Sequence, residues 1–239
     1  MSKFVAKNIA NMIALWRYYG AEQRGDLWYS HSWPHRVWHN SLDWSETSKE
    51  LNAVQLSASQ QLVTLSAMKD ETEWQPQDMR KDLRLTLMHL EMPNTKLEVD
   101  KDSELELLDS TDTDGITSFV KMSSDGFGYS MDTQALLRAA KFSDVKLAFL
   151  RVSGERVATV LLLKQDYTLG IHQVAVPSAF RGKGYATDMM LHSMRWGQTK
   201  RAQLITLQAS EMGLNLYRRL GFKEAGSITF WRKECTEYP

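Results

Sequence analysis

The chain has 239 residues, a length that suits one large domain or two small ones. Hydrophobic residues make up 43% of it and charged residues 24%, proportions typical of a globular protein that buries a core. Because 29 acidic residues balance 29 basic ones, the formal net charge is zero, and we expect neither a nucleic acid nor a membrane as a partner.

The N-terminal segment and the cysteine content indicate where the protein works. Segment 2–21 repeats apolar residues at helical spacing and interleaves polar ones, whereas a signal peptide needs a continuous apolar run. No stretch approaches the ~18 apolar residues of a membrane span. The single cysteine, Cys235, cannot form an internal disulfide, which favours a reducing compartment. The sequence therefore predicts a cytoplasmic protein that begins with an amphipathic helix.

An aromatic-rich segment, 27–40, follows this helix. Pro34 interrupts it, so we expect two short extended pieces on either side of a bend. Its large side chains could line a site for a substrate or pack in a core between domains: Trp28, Tyr29, Trp33, His35 and Trp38.

The remainder of the first half contains fewer expected elements. They are a helix over 45–56, capped by Ser45, and strands over 61–68 and 81–92. The polar segment 93–103 follows, and we place a domain boundary there. The sequence thus predicts an N-terminal α/β domain over 1–100 and a second domain over 104–239.

The second half alternates strands and helices at short intervals. The expected elements are a strand over 104–108, a helix after the caps in 109–115, a helix over 132–141, a hairpin over 144–167 turning at Gly154, a strand over 168–176, a helix over 184–201, a strand over 204–209, a helix over 211–221 and a strand over 227–231.

The connection between the strand over 168–176 and the next helix contains an unusual cluster of residues. Two glycines, Gly182 and Gly184, would let the main chain approach a ligand closely, and Arg181 and Lys183 add positive charge. The first four amides of a helix lack partners, and the helix dipole adds about half a positive charge there. Such a loop suits a phosphate group, although a plain glycine-rich connection is an equal alternative on these grounds alone.

Two familiar phosphate-binding loops do not fit this connection. A P-loop requires lysine and then serine or threonine after its last glycine, but Tyr185 and Ala186 follow Gly184. A Rossmann fingerprint requires a third glycine or alanine, and this chain has Thr187 there.

The strand and loop together, HQVAVPSAFRGKGYATDMM, closely resemble the acyl-CoA-binding motif of the GNAT superfamily of N-acetyltransferases. In that motif a strand ending in V-x-V precedes R-x-x-G-x-[GA] at a helix start. The segment 210–222, SEMGLNLYRRLGF, is similar to the second motif of the family, with Ser210 where asparagine is frequent. The resemblance covers about 104–231. It implies an α+β (mixed α/β) class with the GNAT acyl-CoA N-acyltransferase fold in the C-terminal half, and the smaller N-terminal domain could be a degenerate GNAT repeat.

The resemblance also implies roles for individual residues. In the family, strand amides bind the pantetheine arm of acetyl-CoA, loop amides hold its pyrophosphate, and the tyrosine of the second motif commonly protonates the departing thiolate. Tyr217 takes this last role, although like Leu216 and Phe222 it could be a core residue. The cofactor-binding positions are Val174, Ala175, Val176, Arg181, Gly182, Lys183, Gly184, Tyr185, Ala186 and Ser210.

The implied reaction moves the acetyl group of acetyl-CoA to a primary amine, on a small molecule or a protein, without a metal. It benefits from an amide aimed at the oxyanion, for which Val174 is the candidate, and from a base. Where family members carry a glutamate on this strand, the chain has Gly170. His172, two residues later on the same face, is the candidate base, with water or Asp166 as alternatives. The other reading is an acyl-CoA-binding sensor module of GNAT fold without catalysis.

Overall fold

The computed structural model describes residues 1–40, 42, 54, 56–66, 76, 78–95 and 97–234. Within them the helices are α1 (Lys3–Tyr18), α2 (Thr113–Phe127), α3 (Thr133–Ala140), α4 (Tyr185–Thr199) and α5 (Leu214–Arg219). The strands are β1 (Ala21–Arg24), β2 (Leu27–Ser30), β3 (Arg36–His39), β4 (Gln61–Ser66), β5 (Met79–Glu91), β6 (Ser103–Leu107), β7 (Val145–Val152), β8 (Glu155–Gln165), β9 (Thr168–Ala175), β10 (Leu204–Ala209) and β11 (Lys223–Lys233). Apart from residues 54 and 56, the helix expected over 45–56 lies outside the described residues, as does Cys235.

All the strands of the described ranges belong to one sheet, in the order β1-β2-β3-β4-β11-β5-β10-β9-β8-β7-β6. The neighbours β3 and β4 are parallel, as are β9 and β10, and the remaining neighbouring pairs are antiparallel. The mixed α/β class expected from the sequence is confirmed.

The strand order is nearly symmetric about the central pair of β11 and β5, with four strands beyond β11 and five beyond β5. Outward from this pair, β4 and β3 on one side correspond to β10 and β9 on the other, and both sets form a parallel pair. The two central strands are exchanged between the halves of the chain. β5 from the first half pairs with β10 of the second half, and β11 from the second half pairs with β4 of the first half. The boundary expected in 93–103 therefore separates two lengths of chain that share a sheet.

Helices cover both faces of the sheet. Side chains of α1, α2 and α3 pack into one core cluster, which includes the buried aromatic residues Trp16, Trp38 and Phe119. The second cluster contains Met189 and Met190 of α4 on the opposite face. No helix in the described part of the chain is both long and apolar enough to cross a membrane.

Local capping explains where the first helices begin. Ser2 accepts a hydrogen bond from the amide of Val5, and Asp112 accepts one from the amide of Gly115 at 2.8 Å. Asp132 caps α3 through the amide of Gln134, at 2.7 Å. These caps stand where the sequence predicts helix starts.

The strands β9 and β10 diverge after a short contact. They pair over Thr168, Leu169 and Gly170 of β9, and beyond this point β9 pairs only with β8. A bulge follows, because Thr159 faces Ala175 and Leu161 faces His172, so two residues of β9 lie opposite one of β8. The divergence opens a wedge at the carboxyl end of β9.

Candidate active site

A cavity of about 390 Å³ lies at this wedge. Its lining contains most of the predicted site residues: Val174, Ala175, Val176, Arg181, Gly182, Gly184, Tyr185, Ala186, Ser210 and Tyr217. Lys183 and His172 do not belong to the lining. The fold thus brings the strand, the loop and the second motif together around one space.

The loop meets the cavity at the start of α4. Gly182 and Gly184 have φ angles of 78° and 85°, a left-handed conformation that favours glycine. Since α4 begins at Tyr185, the amides of Tyr185 and Ala186 belong to its first turn, where the helix provides no acceptor. The loop and helix start therefore present amide donors to an anion.

Arg181 braces the wall of the cavity. Its Nε donates to the carbonyl of Val176 at 3.1 Å, and its Nη2 donates to the carbonyl of Gly126 at 2.7 Å. The guanidinium therefore ties the end of β9 to α2 while it keeps a positive charge beside the loop. Lys183 is exposed, with its Nζ 6.0 Å from the centre of the Phe180 ring.

The helix α2 also contributes to the cavity, which the sequence did not predict. Gly126 and Phe127, at its C-terminal end, line the cavity. A Cβ on Gly126 would lie 2.8 Å from the Cβ of Ala175 and 3.2 Å from the amide nitrogen of Val176. A glycine at this position therefore lets α2 approach β9, and no local pattern marks it.

The second motif forms the opposite wall, in a shorter helix than expected. A 3₁₀ turn, Glu211–Gly213, precedes α5, and the side chain of Ser210 makes no capping hydrogen bond. Ser210 therefore does not cap the helix through its side chain. The exposed Ser210 lines the cavity instead.

Tyr217 is held by its neighbours within this wall. Its ring packs edge-on against Phe222, with 5.9 Å between centroids, and a Cβ on Gly213 would lie 2.9 Å from the ring. Burial raises the pKa of Tyr217 to about 12. The hydroxyl consequently keeps its proton at neutral pH.

His172 lies in a buried polar network rather than in the cavity lining. Its Nε2 is 2.8 Å from Oδ1 of Asn11, whose Nδ2 donates to the carbonyl of Leu163 at 3.1 Å. Because Asn11 Oδ1 is then an acceptor, Nε2 of His172 carries the proton. Burial lowers the pKa of His172 to about 4, against a smaller raising effect of Gln208. A neutral imidazole in this setting anchors α1.

Gly170 explains why the family's glutamate has no counterpart here. A Cβ on Gly170 would lie 1.7 Å from Oδ1 of Asn11 and 2.4 Å from Nε2 of His172. Any side chain at this position would displace that hydrogen bond. The alternative base, Asp166, lines a separate groove beside Lys164 at the opposite end of β9.

A second asparagine of α1 fixes the helix on the paired strands β5 and β10. Asn8 Nδ2 donates to the carbonyls of Met88 at 2.9 Å and Leu207 at 3.0 Å, and Gln208 Nε2 donates to Asn8 Oδ1 at 2.6 Å. Asn8 and Asn11 recur at helical spacing with the buried Val5 and Met12. That spacing is the sequence signal that would have placed both amides in the interior.

Comparisons with known proteins agree with this geometry. Residues 118–222 match the model of the Acetyltransferase (GNAT) family. A GCN5-related N-acetyltransferase from Kribbella flavida is 14% identical over 98% of this chain and 96% of its own, with a TM-score of 0.63. A GCN5-related N-acetyltransferase from Sphaerobacter thermophilus is also 14% identical, over 97% of this chain and 91% of its own, with a TM-score of 0.61. No curated protein is significantly similar in sequence. Residues 118–222 are therefore similar to the GNAT acetyltransferase family, and the described part of the chain has the fold of these structures.

Proposed function

We propose that the protein transfers the acetyl group of acetyl-CoA to a primary amine, which attacks the thioester directly to give a tetrahedral intermediate. The observation that carries this proposal is the wedge between β9 and β10, where strand, loop and Tyr217 line one cavity. Acetyl-CoA supplies the activated acetyl group.

The chain's own groups would hold the donor in two places. The pantetheine arm would lie along Val174, Ala175 and Val176, where β9 has lost β10 as a neighbour. The pyrophosphate would accept hydrogen bonds from the amides between Arg181 and Ala186, with Lys183 adding charge from outside. Ser210 would offer its hydroxyl from the opposite wall.

Transition-state stabilisation is assigned to the bulge. Gln173 has a φ angle of 52°, and together with Val174 it faces the single residue Val160. A bulge turns one amide away from the ladder. We assign the amide of Val174 to the oxyanion, because a fixed donor that meets developing charge in a closed site lowers the barrier.

Transfer of the acetyl group needs an acid for the thiolate and a base for the ammonium, and the described part of the cavity lining offers a candidate only for the acid. Tyr217 would protonate the leaving thiolate. The cavity lining, within the described residues, contains neither a carboxylate nor an imidazole, so the ammonium of the acceptor would lose its proton to water. His172 could act as the base only if its hydrogen bond to Asn11 breaks and exposes the imidazole.

The lack of a base in this lining favours one alternative function. A sensor that binds acyl-CoA without transferring the acetyl group would need the wedge and the loop but no proton acceptor. The two functions share a cofactor site, so binding does not separate them. Transfer does.

The test measures free thiol release from acetyl-CoA with a panel of amines, beside calorimetric binding of acetyl-CoA. Amine-dependent thiol release supports the enzyme. Binding without release by any amine supports the sensor, and no binding of acetyl-CoA contradicts both.

We also propose that 1–100 and 104–239 are two GNAT-like domains, the first of them degenerate. The nearly symmetric strand order and the two parallel pairs, β3 with β4 and β9 with β10, support this proposal.

A further inference from the structure

Arg36, on β3, holds its guanidinium in the interior without a counterion among the described residues. Its Nε is fully buried and has no hydrogen-bond partner, and the guanidinium forms no hydrogen bond or ion pair within the described residues. Its Cζ lies 4.5 Å from the centre of the Trp16 ring and 4.9 Å from that of Phe230. These rings attract the cation but leave its N–H groups without acceptors.

A cation in this position needs an anion. Burial lowers the pKa of Arg36 to about 10, so the group still carries its charge at neutral pH. Buried charges in proteins are normally paired, and unsatisfied groups of this kind concentrate where a ligand binds. The Arg36 residue as a whole is only partly buried.

Two further buried polar atoms beside Arg36 also lack partners. They are the hydroxyl of Tyr19, a residue only 1% exposed, and Oε1 of Gln173. Burial raises the pKa of Tyr19, and Gln173 and then Arg36 oppose this effect, so each of these two side chains interacts with Tyr19.

This cluster adjoins the cavity at two points. Gln173 immediately precedes Val174 in the bulge of β9, and Val174 lines the cavity. Tyr129 interacts electrostatically with Arg36 and stacks on Phe127 of the lining, with 5.4 Å between the ring centroids. Groups without a partner in the described residues therefore continue from the proposed position of the thioester towards the N-terminal half.

We infer that Arg36 binds a carboxylate on the acceptor, so that the substrate is a small amine that also carries a carboxylate, such as a free amino acid. The inference rests on the proposed function. One guanidinium among neutral groups matches a single negative charge better than a phosphate dianion. Gln173 Oε1, a buried acceptor without a donor, suits an N–H of the amine beside the amide of Val174.

The experiment compares matched acceptors in the wild type, in Arg36→Met and in a control. Each of a set of amino acids is paired with its decarboxylated amine, and kcat/KM is measured by thiol release. Arg17→Met is the control, since Arg17 also stacks on a tryptophan, Trp28 at 4.1 Å, but is paired with Asn40.

We expect the wild type and Arg17→Met to prefer a carboxylate-bearing amine over its decarboxylated partner. In Arg36→Met, kcat/KM for the amino acid should fall by about 10- to 100-fold, the usual effect of a lost hydrogen bond to a charged group. The value for the decarboxylated amine should stay unchanged. The melting temperature of Arg36→Met should equal or exceed that of the wild type, because methionine replaces a buried charge that has no partner.

Equal use of both acceptor classes by the wild type overturns the inference, and so does a preference that Arg36→Met retains. If acetyl-CoA binds but no amine releases thiol, the test is the shift in melting temperature that each acceptor produces in the presence of free CoA. This shift shows whether the protein binds the carboxylate. A shift with amino acids alone, lost in Arg36→Met, supports carboxylate binding although transfer has failed. An absent shift, or one that Arg36→Met keeps, contradicts it.

Discussion

Tyr217 combines a protonated hydroxyl with a fixed ring in the wall of the cavity. If it protonates the thiolate, Tyr217→Phe removes only the acid, because the edge-on packing against Phe222 needs no hydroxyl. General-acid assistance is typically worth about 10²–10⁴-fold, so kcat should fall by that order. The dissociation constant of acetyl-CoA, measured by calorimetry, should barely change.

Tyr167→Phe is the matched control, because that tyrosine is 60% exposed and lies outside the cavity lining. Its turnover should equal that of the wild type. Unchanged turnover in Tyr217→Phe would remove the catalytic role and leave Tyr217 as a packing residue.

At the scale of single residues, the sequence identified groups that belong to a local motif. Val174, Gly184 and Tyr217 sit at fixed distances along the chain, and the fold gathers them as expected. The environments of His172 and Arg36 depend on contacts with distant segments, such as the hydrogen bond from His172 to Asn11. No local pattern carries that information. The sequence therefore suggests that His172 can titrate, whereas in the fold it is buried and neutral.

The loop before α4 determines cofactor binding in the same proposal. Saturation at a hundredfold excess over Kd should stabilise the fold by about 2.7 kcal/mol. Gly184→Asp should abolish most of this gain, because it places a carboxylate where the pyrophosphate would lie. The thermal shift produced by acetyl-CoA measures the effect.

Gly154 supplies a control for backbone strain. Its φ angle is 84°, against 85° for Gly184, and a Cβ at either position would have no neighbour within 4 Å. Gly154→Asp in the turn between β7 and β8 should therefore cost similar stability yet keep the acetyl-CoA shift. Equal shifts in both variants and the wild type would place the cofactor elsewhere.

Secondary structure follows from the sequence wherever the signal is local. Caps at Ser2, Asp112 and Asp132 and the alternation along the strands predict most boundaries within a few residues. The strand β1 was not predicted, because its four residues, Ala21–Arg24, are partly exposed and follow the helix directly. The last helix is shorter than its apolar spacing predicts, because its first turn is 3₁₀.

The exchange of β5 and β11 belongs to the whole molecule, and the sequence contains no sign of it. A strand pattern reports which face is buried but not which neighbour it has. β5 pairs with β10 over Thr86–Glu91 and with β11 over most of its length, so both flanking strands belong to the other half of the chain. Leu87 and Met88 at its centre are fully buried.

Because of this exchange, we expect a fragment covering 104–239 not to fold independently. Without β5 it would leave the ladder edges of β10 and β11 unpaired and remove the buried Leu87 and Met88 from the core. It should show no cooperative thermal transition and no shift with acetyl-CoA, whereas adding a separate 1–100 fragment should restore both. The control is the full chain cleaved at a protease site introduced between β5 and β6, where both halves stay associated and binding should persist. A 104–239 fragment that melts cooperatively and binds acetyl-CoA like the full chain would show that the exchanged strand is dispensable.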